Sequence, residues 1–439
     1  MKQWLAFLLC ISALACAQEG FHFTDGHRRQ VKIPFTLVNN LIILPVTVNG
    51  VKLNFLLDTG VDETILFSLD EHEEVRLNSV EKIKLKGLGE DAPVEGLKSS
   101  HNTVSFPGFV DHSHDIYIVL DQNFNFSSSI GIPVNGILGY HFFKDYPVKI
   151  DYDSRRITVF QDRERSMKKF RQAYEAVEIS VEEKKPYVTA ESEVNGNKFA
   201  GKLLVDTGNA DAVWLFTDRI PRLRLPEHHF EDFLGRGLSG DINGQRGRSD
   251  GFTLGTFGFP QVLIAFPDSA ATRSISLARE RIGSVGGEIL QRFSVIFDYR
   301  QNKMFLRRGA RYDDPFHYNM SGMEVQHMGM NWLSQEVSQR DEKAGAYKQI
   351  SVFDSPKYAY EFVLQPIFSI SNIRPGSPAD LCGLKKGDIL VSLNGRSCGQ
   401  MTLQRIKEIL KSEEGREVKV EVTRSGKPLK CAFRLKNIL

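Results

Sequence analysis

Asp-Thr-Gly occurs twice in the chain, at Asp58-Thr59-Gly60 and at Asp206-Thr207-Gly208. Each copy follows an apolar run, Phe55-Leu56-Leu57 or Leu203-Leu204-Val205, and leads into another, Thr64-Ile65-Leu66-Phe67 or Ala212-Val213-Trp214-Leu215-Phe216. A carboxylate at the end of a buried strand is costly unless it is paired or used. Two in matched settings point to a dyad that shares a proton, because like charges at close range cannot both ionise. Such a pair can serve as general base and general acid around a single water. The neighbouring residues have supporting uses. A Thr hydroxyl at 59 or 207 can hydrogen-bond across to the other site, and Gly60 and Gly208 permit tight turns whose N–H groups hold the carboxylates.

The elements around the two sites repeat in order. Val48-Asn49-Gly50 and Val194-Asn195-Gly196, the two Asp sites, Gly87-Leu88-Gly89 and Gly235-Arg236-Gly237, and Val148–Tyr152 and Val295–Tyr299 recur at offsets of 146 to 148 residues. This predicts two homologous lobes, residues 18–165 and 166–310. Each reads as β structure, with Asn-Gly hairpins at 49–50 and 195–196 and alternating strands such as Lys82–Leu85 and Ile157–Phe160. Helical pattern is confined to short stretches such as Arg163–Ala176.

The texture changes after residue 310, and residues 311–439 read as a linker and a further domain. Residues 312–358 are polar and mixed, and read as a linker and a long loop. Beyond them, Ser377-Pro378 is a helix start. Leu403, Ile406, Ile409 and Leu410 form one helical face, and strands flank Asn394-Gly395 and Ser425-Gly426.

Composition sets wide bounds. With 439 residues, 41% hydrophobic content and a net charge of +2, the chain is long enough for several cores and gives no reason to invoke nucleic acid. Residues 1–17 read as a signal peptide: Lys2, an apolar core from Leu5 to Ala15, and Ala15-Cys16-Ala17 as a cleavage site. A rival reading cleaves before Cys16 and lipidates it. No later stretch is long and apolar enough for a membrane helix. Cys382, Cys398 and Cys431 match no zinc pattern and read as three small buried side chains, with one bridge among the three as the alternative.

Three further patterns are weighed and set aside. Gly235–Gly240 formally fits a dinucleotide-binding pattern, but lacks the strand before and the helix after that it needs; a β-turn or flap fits better. Asp111-His112-Ser113-His114-Asp115 has alternating histidines, yet no second cluster, and reads as a solvated strand end. Arg246-Gly247-Arg248 reads as a loop, with a preference for acidic substrates as the sharper alternative.

The two Asp-Thr-Gly sites resemble those of aspartic proteases, and the repeat resembles a single-chain pseudo-dimer of retropepsin-like or pepsin-like lobes across residues 30–310. Ile137-Leu138-Gly139 and Ser284-Val285-Gly286 resemble the segment that threads behind each catalytic turn. The chain departs from the pattern at Val61, Asn209 and Ser284. The resemblance implies a mainly β fold of two acid-protease-like β-barrel lobes, with Asp58 and Asp206 catalytic. It gives Thr59, Gly60, Thr207 and Gly208 supporting roles and makes Gly87-Leu88-Gly89 and Gly235-Arg236-Gly237 substrate-covering flaps. Ile373–Ala379 and Gly387–Gly395 resemble a PDZ domain, as paired with bacterial exported proteases, which implies an α+β unit that binds a peptide ligand. The expectations are an exported monomeric endopeptidase of a bacterial periplasm or cell envelope, acting on polypeptide, with no metal or organic cofactor. The competing expectation is a non-catalytic exported peptide-binding scaffold.

Overall fold

The computed structural model describes residues 20–67, 74–85, 94–120, 126–161, 163–237, 240–273, 278, 280–338 and 358–439. The leader with Cys16, and Gly87-Leu88-Gly89, lie outside them. The chain is mostly strand, arranged in three sheets.

Local chemistry explains the hairpins. Asn49 and Asn195 adopt φ of 47° and 51°, and Gly50 and Gly196 follow at 90° and 69°. Two successive positive φ values twist a two-residue turn to match its strands. The hairpins Leu41–Val48/Val51–Leu57 and Lys185–Val194/Asn197–Val205 result, and each leads straight to one of the Asp-Thr-Gly turns. Phe55, Leu57, Leu203 and Val205 are buried in the core beneath those turns.

In both halves a short strand threads behind the turn. Gly136–Leu138 runs parallel to Val51–Leu57 and antiparallel to Thr64–Leu66. Arg281–Val285 sits in the same way between Asn197–Val205 and Val213–Leu215. The glycines that follow make this possible: a Cβ at Gly139 would lie 2.2 Å from the Val61 carbonyl, and one at Gly286 2.2 Å from that of Asp211. The two halves are joined by antiparallel strands in the order Gln30–Pro34, Arg156–Phe160, Val148–Asp151, Phe293–Asp298, Lys303–Arg308 and Glu175–Glu182. The repeated segments themselves pair across the junction, Val148 with Phe297 and Ile150 with Val295.

The C-terminal unit has a sheet of its own. Residues 323–338 are strand rather than loop: Met323–Ser338 pairs with Tyr358–Ile373 in a long hairpin. Two register shifts, between Glu324 and Val325 and between His327 and Gly329, break the alternation that would have marked the strand. The expected linker is also anchored, since Tyr312, Phe316, Tyr318 and Met320 are all buried. Ser377 caps Pro378–Leu381 by accepting from the Asp380 N–H, and Thr402 caps Leu403–Leu410 through the Arg405 N–H. This domain packs on both halves. Lys407 Nζ donates to the Ser129 carbonyl (2.9 Å), and Arg374 lies 4.1 Å from the Phe230 ring centroid. Among the described residues no helix is long and apolar enough to cross a membrane.

Two further expectations change. Cys382 and Cys431 form a disulfide with Cα atoms 6.0 Å apart, leaving Cys398 free and buried. Asp111 and His114 are not solvated but 2% exposed each. Their side chains hydrogen-bond at 2.8 Å, and His114 Nε2 lies 2.6 Å from the Thr64 hydroxyl.

The disulfide links positions 49 residues apart. Closing such a loop restricts the unfolded chain and is worth about 2–4 kcal/mol. Replacing both Cys382 and Cys431 with Ala should lower the stability of the C-terminal domain by that amount in chemical denaturation. An unchanged midpoint would show that the bond does not constrain the domain.

Candidate active site

Asp58 ends the Val51–Leu57 strand and Asp206 ends Asn197–Val205. The threading strands hold both turns from behind: the Asp58 N–H donates to the Leu138 carbonyl (3.0 Å) and the Asp206 N–H to that of Val285 (2.9 Å). Each carboxylate also accepts from the glycine of its own turn, Asp58 from Gly60 N–H (2.7 Å) and Asp206 from Gly208 N–H (3.1 Å). The turns face each other closely. A Cβ at Gly208 would stand 2.1 Å from Asp58 Oδ2, so only glycine fits there.

Thr59 and Thr207 lock the turns together. The Thr59 N–H donates to Thr207 Oγ1 (3.1 Å), and the Thr207 N–H donates to Thr59 Oγ1 (3.0 Å). Each hydroxyl in turn donates to the opposite strand, Thr59 to the Val205 carbonyl (2.6 Å) and Thr207 to that of Leu57 (2.8 Å). Both threonines are fully buried.

The carboxyl groups of Asp58 and Asp206 hydrogen-bond each other, and both are raised above the usual carboxylate range. Burial is the main cause for each. For Asp58 the nearby Asp206 charge adds to the rise, against the Gly60 N–H. For Asp206 the Arg281 guanidinium and the N–H groups of Gly208 and Asn209 oppose it.

The pair lies in a cavity of about 780 Å³. Leu56 and Ile137 line it from one half, and Leu204, Trp214 and Phe216 from the other. Gly235, Arg236 and Gly237 border it from the His229–Gly237/Gly240–Arg248 hairpin. Leu85 reaches it from Val80–Leu85, which pairs with Val94–Phe106. The C-terminal domain contributes Glu324, Lys407 and Lys411. The 246–248 segment is strand, not loop, and Arg246 is not a free cation: it pairs with Asp232 (2.6 Å) and Asp211 (2.9 Å).

Sequence reasoning missed several residues here. Lys185 pairs with Asp62 (2.5 Å) and Lys184 with Glu63, so the Glu182-Glu183-Lys184-Lys185 turn is tied beside the Asp58 turn. Burial pushes Glu63 up, but hydrogen bonds and charges from His141 and Lys184 bring it down to about 2. The run of two acids followed by two bases at 182–185 was the available signal. Arg281 had none, since it closes the charged run Arg279-Glu280-Arg281, which reads as a solvated surface.

Residues 44–142 match the aspartyl protease family model, and residues 369–424 match the PDZ domain model. The retrovirus-related Pol polyprotein from transposon 412 of Drosophila melanogaster is 32% identical over 135 residues, which is 30% of this chain and 10% of that polyprotein. The aspartic proteinase from Irpex lacteus superposes with a TM-score of 0.43 at 12% identity, covering 65% of this chain and 99% of the other.

The threonine lock is open to a direct test. Thr59→Val or Thr207→Val removes one hydroxyl and leaves a buried N–H and a buried carbonyl without partners, which costs about 1–3 kcal/mol. Thr→Ser at either position should recover most of that loss. Equal denaturation midpoints for wild type and the valine variants would show that these bonds do not hold the halves together.

Proposed function

We propose that this chain, which joins a retropepsin- and pepsin-like protease unit to a C-terminal PDZ domain, is an aspartic-type endopeptidase. The observation that carries the reading is the buried, mutually hydrogen-bonded pair Asp58–Asp206 in a cavity of about 780 Å³ lined by both halves. Adjacent carboxyls with raised proton affinity favour this over a peptide-binding scaffold without catalysis.

The chemistry needs one proton on the pair. A water between the carboxyls gives its proton to the ionised aspartate as its oxygen bonds to the scissile carbonyl carbon. The protonated aspartate donates to the carbonyl oxygen. The tetrahedral adduct then collapses: the C–N bond breaks, the nitrogen takes up a proton from one aspartate, and the carbonyl re-forms as a hydroxyl of the adduct returns its proton to the other. Thr59, Gly60, Thr207 and Gly208 support the pair, and the Gly235-Arg236-Gly237 hairpin covers the substrate. Residues 18–165 and 166–310 each supply one aspartate, so a monomer suffices as an internal pseudo-dimer. No cofactor enters this scheme. The Cys382–Cys431 bond suits an oxidising compartment, which supports export to a periplasm or cell envelope after removal of residues 1–17.

Asp58→Asn and Asp206→Asn should each lower peptide hydrolysis by about 10²–10⁴-fold. The wild-type rate should follow a bell in pH with its optimum below neutral, both carboxyls being protonated on the acid side and neither on the alkaline side. Stability should move the other way. Asp58 titrates near 3.8 unfolded and higher when folded, so its folded state loses stability as pH rises through that interval. Asp58→Asn should therefore raise the melting temperature at neutral pH and change it little near pH 3. Full turnover by either folded variant, or abolition of activity by chelators, would sink the assignment.

The PDZ domain recruits polypeptide in this reading. Such domains add a peptide as a strand to a sheet edge. Met323–Ser338 is the edge strand of its sheet, lies beside the Leu403–Leu410 helix, and carries Glu324 on the cleft wall. Lys407→Gln combined with Lys411→Gln should raise KM severalfold for a long polypeptide and leave a short peptide's kcat unchanged. Equal effects on both substrates would refute the recruiting role.

A further inference from the structure

Arg281 opens the strand that threads behind the Asp206 turn, and it is 5% exposed on the wall of the cleft. Its Nε donates to the Gly283 carbonyl (3.0 Å) and its Nη2 to the Ser284 hydroxyl (2.7 Å). The guanidinium carbon lies 5.3 Å from the Phe216 ring centroid. Ser284 stands where an apolar residue was expected, and its hydroxyl anchors this side chain. A guanidinium stays charged in a protein, and a buried charge without a counter-ion is strongly unfavourable. Yet among the described residues no carboxylate forms an ion pair with Arg281. Asp206 is the carboxylate whose charge offsets its burial.

The first lobe has no such cation. The threading strands align Leu138 with Val285 and Ile137 with Ser284, and a bulge at Ile282 then sets Arg281, the partner of Lys202, at the place where Asn135 meets Asn54 in the first half. The other groups that face the pair do not restore symmetry. Lys185 acts on Asp58, but its ammonium is held by Asp62 at 2.5 Å. Tyr299 faces Asp58, and Tyr187 faces Arg281. Asp211, Arg246 and Glu288 line the same cleft farther along, with Arg246 already paired.

We propose that Arg281 is a positioning residue that makes Asp206 the ionised member of the dyad and leaves the shared proton on Asp58. Asp206 is then the base toward water and Asp58 the acid toward the scissile carbonyl, an assignment that rests on the endopeptidase reading above. The lowering influence of Arg281 falls on Asp206, whose N–H is held by Val285 at the other end of the same strand.

The test uses the full chain and two readouts. In Arg281→Met the acid limb of the kcat/KM profile should move to higher pH by about one unit, with a smaller move of the alkaline limb. Arg281→Lys, which keeps the charge, should stay close to wild type. The second readout is carbon NMR of the aspartate carboxyls, assigned with Asp58→Asn and Asp206→Asn. In the wild type the first proton lost on raising the pH should come from Asp206. This titration needs no turnover, so an inactive chain would refute the peptidase reading and still decide the proton's place. First ionisation at Asp58 overturns the proposal even if Arg281→Met fails to fold. So do unshifted limbs in a folded Arg281→Met, including the case in which that variant loses only acidic substrates and Arg281 proves to be a substrate contact.

Discussion

The reciprocal hydrogen bonds between Thr59 and Thr207 hold a place where the chain would otherwise come apart. Two buried carboxyl groups sit side by side, and both burial and mutual repulsion oppose their ionisation. Of the four bonds of the threonine pair, two join turn to turn and two join each turn to the strand beneath the other, Val205 on one side and Leu57 on the other. All of them are buried, so loss of any partner leaves an unsatisfied group in a low-dielectric core. The strands joining the two halves add the apolar part of the hold: Val148, Ile150, Val295 and Phe297 are completely buried along their shared register.

The halves repeat in fold but differ in charge. The first turn is followed by Asp62 and Glu63, which are neutralised by Lys185 and Lys184 from the other half. The second turn is followed by Asp211, which binds Arg246 and the Trp214 indole N–H. Asp62, Glu63 and Asp211 thus each have a cation assigned by a hydrogen-bonding geometry. Arg281 is different, a buried cation with no carboxylate at hydrogen-bonding distance among the described residues. A chain that carries both halves can hold such a difference. Two identical subunits related by symmetry would place the same cation beside both aspartates.

What the sequence made legible was local. The Asn-Gly hairpins, the Ser377 and Thr402 caps and the Leu403–Leu410 face each depend on residues within a few positions of one another. The two Asp-Thr-Gly turns were visible because the repeat marked them twice. What stayed hidden depends on distant partners. Asp111 and His114 have the polar alternation of a solvated strand, and only Thr64, 50 residues from His114, shows that they are inside. Cys382 and Cys431 are 49 positions apart, and three cysteines admit three pairings. The Met323–Ser338 strand was obscured for another reason: its two bulges shift side chains between faces, so period two fails although the backbone remains extended.

The position of the C-terminal domain follows from the same accounting of buried groups. A tether of polar residues would let the PDZ domain drift, but Tyr312, Phe316, Tyr318 and Met320 are buried along the connection. Arg248 donates to the Phe316 carbonyl, and the Tyr318 ring meets Phe230 at 5.4 Å. The domain is therefore fixed where its Leu403–Leu410 helix meets Ser129 of the first lobe. Glu324, Lys407 and Lys411 lie there on the wall of the cavity that holds Asp58 and Asp206. A peptide held along the Met323–Ser338 edge would keep its free end close to the dyad, so the affinity of the PDZ domain would act as a high effective concentration at the cleft without adding a catalytic group.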